Sequence, residues 1–390
     1  MVKAADRTES VTFAIGDVVI PARKLQQEGA EIMWLNLGDP DKFDFDTPVH
    51  IKEAAMKAMN TYNGYMDSEG LPALREAVAS REKRKNGISA SEEDILITNG
   101  TSEAIQMIYG ALLNPGDEIL IPGPAYPPYM SLARFFDAVP VPYRTLEEEN
   151  WSPDIDDMRS RLSDRTKAIL LISPNNPTGA LYSRKHVEAI AGLAAEHDIV
   201  VVSDEIYDTM TFEEQHYSPL RAEDVPVIAI NGMSKAYLST GWRVGWAIFK
   251  DYNGNLSEIK DACLKQLRLR ISANTVMQEA GVAALHGPQD HIKKVAQKLK
   301  ERRDFMYKRM NEISGMTAEK PMGAFYIFPK VDCEDDKKFV LDVLENTHVL
   351  FVHGSGFGSY GKGHFRSIFL PPIETLEKAM NAVEKYMKGR

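Results

Sequence analysis

Residues 199–208 read "IVVVSDEIYD". Ile199, Val200, Val201 and Val202 leave no polar face, so this run is a strand covered on both sides, as in a parallel sheet flanked by helices. The aspartate after it, Asp204, then stands where such a sheet opens to a ligand, outside the carboxyl ends of its strands. The neighbouring runs repeat the pattern. "AILLISPNNPTG" (168–179) ends in Asn176 beside prolines, and "VIAINGMSK" (227–235) ends in Ser234 and Lys235. "DILITNG" (94–100), "DEILIPGPAY" (117–126), "VPVPY" (139–143) and "RVGWAIF" (243–249) complete a set of seven, separated by helical-period segments such as "RKHVEAIAGLAAEHD" (184–198). The alternation predicts an α/β fold, a large doubly wound and mostly parallel seven-stranded sheet.

After residue 250 the pattern changes. Residues 257–287 and 289–313 read as long helices. A compact α+β tail follows, with strands near "AFYIFP" (324–329), "HVLFVHG" (348–354) and "FRSIFL" (365–370), closed by a helix over 373–387. The expected organisation is a turn-rich arm over residues 1–45 that joins the small domain in part, a large domain over 46–285 and a small C-terminal α+β domain over 286–390. The arm shows little periodicity.

Composition narrows the function classes. Hydrophobic residues make up 44% of the 390 and charged residues 26%, enough for a large core and a smaller one. A net charge of -10 with both signs scattered lacks the basic clustering that nucleic acid or a membrane surface requires. The densest basic stretch, Arg81 to Lys85, reads as a solvated helix end. Cys263 and Cys333 are too few for a disulfide framework or a zinc site, so no metal is expected. No apolar run approaches the ~20 residues of a membrane span, and the N-terminus lacks a signal-peptide core. A cytoplasmic protein is the expectation.

Each strand end has an ordinary reading and a chemical one. An aspartate after a strand is most often a cap or turn former, yet a carboxylate at the rim of a buried sheet needs a cation or several donors. A lone lysine is usually solvated, whereas a desolvated one is an amine nucleophile suited to Schiff-base formation. "TNGTSEA" (98–104) runs from strand to glycine to helix start, where backbone N–H groups take an anion, and Arg243 and Ser234 are placed to help hold a phosphate.

"SPNNPTG" (173–179), "SDEIYD" (203–208) and "SKAYLSTGWRVG" (234–245), in this order, resemble the signature of the pyridoxal-phosphate aminotransferases of fold type I. The resemblance runs from "LNLGDPD" (35–41) to "HFRSIFL" (364–370). "YNGYMDSEGLPALREAV" (62–78), "GPAYPPYM" (123–130) and "VHGSGFGSYGKGHFR" (352–366) look most like the archaeal alanine aminotransferases. The resemblance implies pyridoxal 5′-phosphate tethered to Lys235, which then moves the substrate proton. Asp204 would pair with the ring nitrogen, Tyr207 and Asn176 would hydrogen-bond the 3′-oxygen, and Tyr126 would stack on the ring. Gly100, Thr101, Ser102, Ser234 and Arg243 would hold the phosphate, joined by Tyr65 of a second subunit in a homodimer. Arg366 would grip the substrate carboxylate, Asn176 would also line the substrate site, Gly38 would approach the substrate closely, and the small domain would close to exclude water. Amino acids and 2-oxo acids are the implied substrates, with L-alanine and 2-oxoglutarate the expected pair. Aspartate, broad-specificity or aromatic transamination, and β-elimination on the same residues, stay open.

Two readings from other classes compete. "GMSKA" (232–236) is one residue short of the G-x-S-x-G nucleophile elbow, which would make Ser234 a nucleophile served by His353 or His364. "GFGSYG" (356–361) fits the dinucleotide motif G-x-G-x-x-G, which requires a helix directly after it.

Overall fold

The computed structural model describes residues 2–11 and 14–389. Each of the seven apolar runs forms a strand of one sheet. Their order across it is Ile95–Thr98, Gly245–Lys250, Val227–Gly232, Val200–Asp204, Thr166–Ile172, Glu118–Gly123 and Val139–Leu146. An eighth strand, Ser152–Pro153, adds antiparallel to the outer edge. It was not expected, because two residues carry no readable period; the chain reaches it by reversing through Asn150 and Trp151, which adopt φ of 55° and 59°. The five strands from Val227–Gly232 to Val139–Leu146 are parallel, and Gly245–Lys250 runs against both its neighbours.

The register brings the chemistry together. Asp204 pairs with Ile172 on one side and Ile230 on the other, so two of the central strands end level and Val227–Gly232 runs two residues further. Asn176 and Lys235 follow those ends and flank Asp204. Every residue of Val200–Asp204 is buried. Each fully buried aliphatic side chain there contributes ~1.5–3 kcal/mol, and three of them outweigh the several kcal/mol that desolvating one carboxylate costs. Helices cover both faces, and two buried clusters fill the space above and below the sheet.

Arg366 lies in Phe365–Ile368, the middle strand of a three-stranded antiparallel sheet with Tyr326–Ile327 and Val352–His353. The arm joins it: Met33–Trp34 pairs parallel with Val349–Leu350, and the Ile368 N–H donates to the Leu35 carbonyl at 3.0 Å. Residues 36–38 therefore run between Arg366 and the ends of the large sheet.

Three expectations are corrected. The arm contains a helix, Ala14–Gln27, which buries Ala14, Ile15, Val18 and Ala22 at helical spacing; Pro21 inside it masked the pattern. The single helix expected over 257–287 is two, Ser257–Leu269 and Thr275–His286. They are separated at Ile271, φ 73°, and restarted by Asn274, whose side chain accepts from the Met277 N–H at 3.1 Å. The apolar period runs unbroken across that join, so only the three-dimensional packing reveals it. The basic stretch is solvated only in part: Lys83 and Arg84 are exposed, but Arg81 is buried and, with Lys85 one turn later, donates to the buried Asp208 carboxylate.

Candidate active site

A cavity of about 240 Å³ lies at the ends of the three central strands, and Lys235, Asp204, Tyr207, Asn176, Tyr126, Thr101, Ser102, Ser234, Arg243, Gly38 and Arg366 all line it. Gly100 stands immediately behind: a Cβ there would meet the Arg243 Nη2 at 2.4 Å. Gly100 is the N-cap of the helix Thr101–Leu112 with φ 78°, a conformation that favours glycine. The strand that follows Arg243 packs against this turn at Gly245, where an added Cβ would lie 2.6 Å from the Gly100 carbonyl carbon. The two glycines thus hold a guanidinium beside free helix N–H groups, a ready anion site. Tyr65 lies elsewhere, at 73% exposure on the outer surface.

Asp204 is buried, and burial pushes its carboxyl up to about 6. Two donors oppose that shift: the Tyr129 hydroxyl on Oδ2, and the Ile206 N–H on Oδ1 at 3.0 Å. Lys235 donates to the Gly38 carbonyl at 2.8 Å, and desolvation pulls its ammonium down to about 8. Arg366 is 1% exposed; its Nη1 donates to Asn176 Oδ1 at 2.8 Å, its Nη2 to the Asn36 carbonyl at 2.6 Å, and its Nε has no partner. Among the described residues no carboxylate lies within ion-pair distance of Lys235, Arg243 or Arg366, and no cation pairs with Asp204. Four formal charges thus face one small cavity without counter-ions. Asp204 and Arg366 are buried, and a buried ion is stable only when paired, so the cavity is shaped for a ligand that brings a cation to Asp204 and an anion to Arg366, while the exposed Arg243 lines it beside the helix N–H groups.

Some placements differ in detail from expectation. Asn176 bonds Arg366, and Tyr207 bonds the hydroxyl of Tyr326 at 2.9 Å. The crowding at Gly38 comes from within the chain, since a Cβ there would stand 2.3 Å from Tyr326 Oη and 2.6 Å from Phe325 Cε2. Sequence reasoning missed Tyr129, Tyr326, Asn36, Ile15 and Leu37. Tyr129 was findable, three residues after Tyr126 and tied to it where the chain turns into the helix Pro128–Phe135, its N–H donating to the Tyr126 carbonyl at 3.2 Å. The others enter through chain segments far apart in sequence, and no spacing links them.

The competing arrangements are not assembled. His353 bonds Ser355 and His364 approaches Glu147; neither lines the cavity with Ser234. "GFGSYG" forms two short turns that lead into the strand Phe365–Ile368, with no helix after the glycines. Glu205, Asp208 and His216 come close enough together to ligate a metal, but Arg81 and Lys85 already neutralise Asp208, so the trio reads as part of a buried ion cluster. Arg270 is tied to Glu103 at 3.0 Å, and Arg268 is exposed; neither lines the cavity.

The family model for aminotransferase class I and II matches residues 30–383. The structure resembles an alanine aminotransferase from Pyrococcus furiosus with a TM-score of 0.98 and 56% identity, covering 100% of both chains. It resembles a single mutant of Thermus thermophilus aspartate aminotransferase with a TM-score of 0.92 and 33% identity, covering 99% of this chain and 100% of that one. The glutamate-pyruvate aminotransferase AlaA of Haemophilus influenzae is 36% identical over 393 residues, 98% of this chain and 97% of the relative.

Proposed function

The chain belongs to the class I and II aminotransferases, and from that premise we propose that it moves an amino group from L-alanine to 2-oxoglutarate, giving pyruvate and L-glutamate, with pyridoxal 5′-phosphate as cofactor. The observation that carries the reading is the fully buried Arg366, which has no counter-anion and faces the same small cavity as the Lys235 amine. When bound, pyridoxal 5′-phosphate supplies a carbonyl carbon that takes the amino group and a pyridine ring that accepts the electron pair released when the Cα–H bond breaks.

The residues divide the remaining work. Gly100, Thr101, Ser102, Ser234 and Arg243 hold the phosphate through helix N–H groups, hydroxyls and a guanidinium. Asp204, whose carboxyl burial pushes up to about 6, would hold a proton on the ring nitrogen. Tyr126 would cover one ring face, and Tyr207 and Asn176 would serve the 3′-oxygen. Lys235 would tether the cofactor, and its amine, with a pKa drawn down to about 8 by desolvation, is suited to carry the substrate Cα proton once that tether is released. Arg366 binds the α-carboxylate in a two-pronged grip while Asn176 steadies the guanidinium. Ile15 and Leu37 add apolar wall to the cavity, which supports a small side chain in the donor.

The relatives that cover the whole chain include proteins named as alanine and as glutamate-pyruvate aminotransferases, which supports the same substrate pair. A homodimer completes the proposal. Met56, Met59, Tyr62, Tyr65, Leu269 and Ile271 are all exposed, and hydrogen bonds from Ser68 to Ile271 and from Thr275 to Gly64 hold their segments side by side. An apolar surface of that kind marks a protein interface. Rates with a panel of amino donors test the function: alanine should lead with 2-oxoglutarate as acceptor, and a clear preference for aspartate or aromatic donors refutes it.

A further inference from the structure

Tyr326 touches both halves of the cavity, yet none of the roles above uses it. It stands in the strand beside Arg366, with Tyr326 opposite Ile368 and Ile327 opposite Ser367. Its hydroxyl is 2.9 Å from that of Tyr207. The centre of the Arg366 guanidinium lies 4.6 Å from its ring centroid, with Phe357 at 4.9 Å as a second aromatic contact. Tyr326, Tyr207 and Arg366 are all buried. An aromatic residue here needs no hydroxyl to fill space, and a core filler has no reason to meet a charge and a phenol at once.

We propose that Tyr326 is a positioning residue that couples carboxylate binding to the cofactor side of the site. Its ring orients Arg366, and its hydroxyl aims the hydroxyl of Tyr207. The proposal rests on the roles assigned above to Arg366 and Tyr207. The two parts act by different physics. A guanidinium held over an aromatic face keeps its charge at low hydration, so it meets a carboxylate already placed. Either hydroxyl can donate in this pair; with Tyr326 as the donor, the Tyr207 hydrogen is free to turn into the cavity. No bond in the reaction is made or broken by Tyr326 itself.

The two parts separate experimentally in the full-length holoenzyme. Tyr326→Phe keeps the ring and removes the hydroxyl; Tyr326→Leu removes both. Two readouts are used besides turnover: the pH titration of the visible band of the bound cofactor, and the affinity for 2-methylalanine, which has no α-hydrogen to lose. In Tyr326→Phe the titration should move upward, because the cofactor oxygen loses a well-aimed donor and the adjacent proton is held more firmly, while affinity for the analogue stays within about twofold of wild type. In Tyr326→Leu the titration should move likewise and the analogue should bind about tenfold more weakly, the size of a desolvated cation–π contact, with KM rising more than kcat falls. Wild-type titration and affinity in both variants would overturn the proposal. So would equal changes in both readouts for both variants, the pattern of a simple packing defect. A wild-type protein that develops no visible band with pyridoxal 5′-phosphate would overturn the functional reading, and this proposal with it.

Discussion

Replacing Tyr129 by phenylalanine removes one oxygen from a fully buried ring and asks how Asp204 stays ionised. Burial lifts Asp204 to about 6 even with the Tyr129 hydroxyl and the Ile206 N–H donating to its two oxygens. A hydrogen bond to a charged group contributes ~1.5–3 kcal/mol, so losing the phenol weakens the hold on the Asp204 carboxylate by about 10–150-fold and moves its titration upward. The sign follows from the form being stabilised. The phenol donates to the carboxylate, so its loss favours the carboxylic acid and the pKa rises. The variant then holds a larger share of protonated acid than wild type at the same pH, and a protonated acid cannot stabilise charge on a ring nitrogen. The assay is the affinity of the apoprotein for pyridoxal 5′-phosphate as pH is varied from acid to alkali. Wild-type affinity should fall below about pH 6 and that of Tyr129→Phe should begin to fall at higher pH, with the two curves converging in alkali. Coincident acid limbs would refute the reasoning. A uniform loss of affinity at every pH would also refute it, since that pattern belongs to lost packing rather than to a moved proton.

Other perturbations follow from the same geometry. Arg366→Lys keeps the charge but loses the planar fork, and one charge-assisted hydrogen bond lost lowers kcat/KM by about 10–150-fold for amino and oxo acids alike; unchanged kcat/KM would remove Arg366 from substrate binding. Gly38→Ala forces a Cβ to 2.3 Å from Tyr326 Oη and 2.6 Å from Phe325 Cε2, displacing the backbone that receives Lys235 and Arg366; kcat/KM should fall at least about tenfold with little change in melting temperature. Asp208→Asn leaves Arg81 and Lys85 without their shared counter-charge, a loss of ~3–5 kcal/mol that thermal unfolding should register, and adding Lys85→Met, which removes the cation whose one ion pair among the described residues is with Asp208 while Arg81 keeps Glu82, should recover part of it. Uptake of the cofactor by the apoprotein should accelerate as pH rises through about 8, where the Lys235 amine loses its proton; uptake that is flat through that range would contradict a desolvated lysine.

The residues after the buried strands announced themselves in the sequence. A run such as Ile199 to Val202 has one physical solution, a strand covered on both faces, and the polar residue that ends it must stand at the rim of the sheet. That constraint is local, so Asp204, Lys235 and Asn176 were legible from their own neighbourhoods. The solvated reading of Arg81 and Lys85 failed for the opposite reason. Whether a basic helix end meets water or a buried carboxylate is settled by Asp208, more than a hundred residues away. The helix join at 270–274 and the two-residue edge strand were equally silent, because packing and chain reversal set them, not period.

By itself the sequence determined the parallel sheet, the ends of its strands and the residue types that those ends present. Only the tertiary structure decided their company: Tyr129 on Asp204, Tyr326 between Tyr207 and Arg366, and the arm carbonyls on Lys235 and Arg366. Strand chemistry follows from neighbours along the chain. The charge balance of a buried site is a sum over groups that only folding brings within a few ångströms of one another.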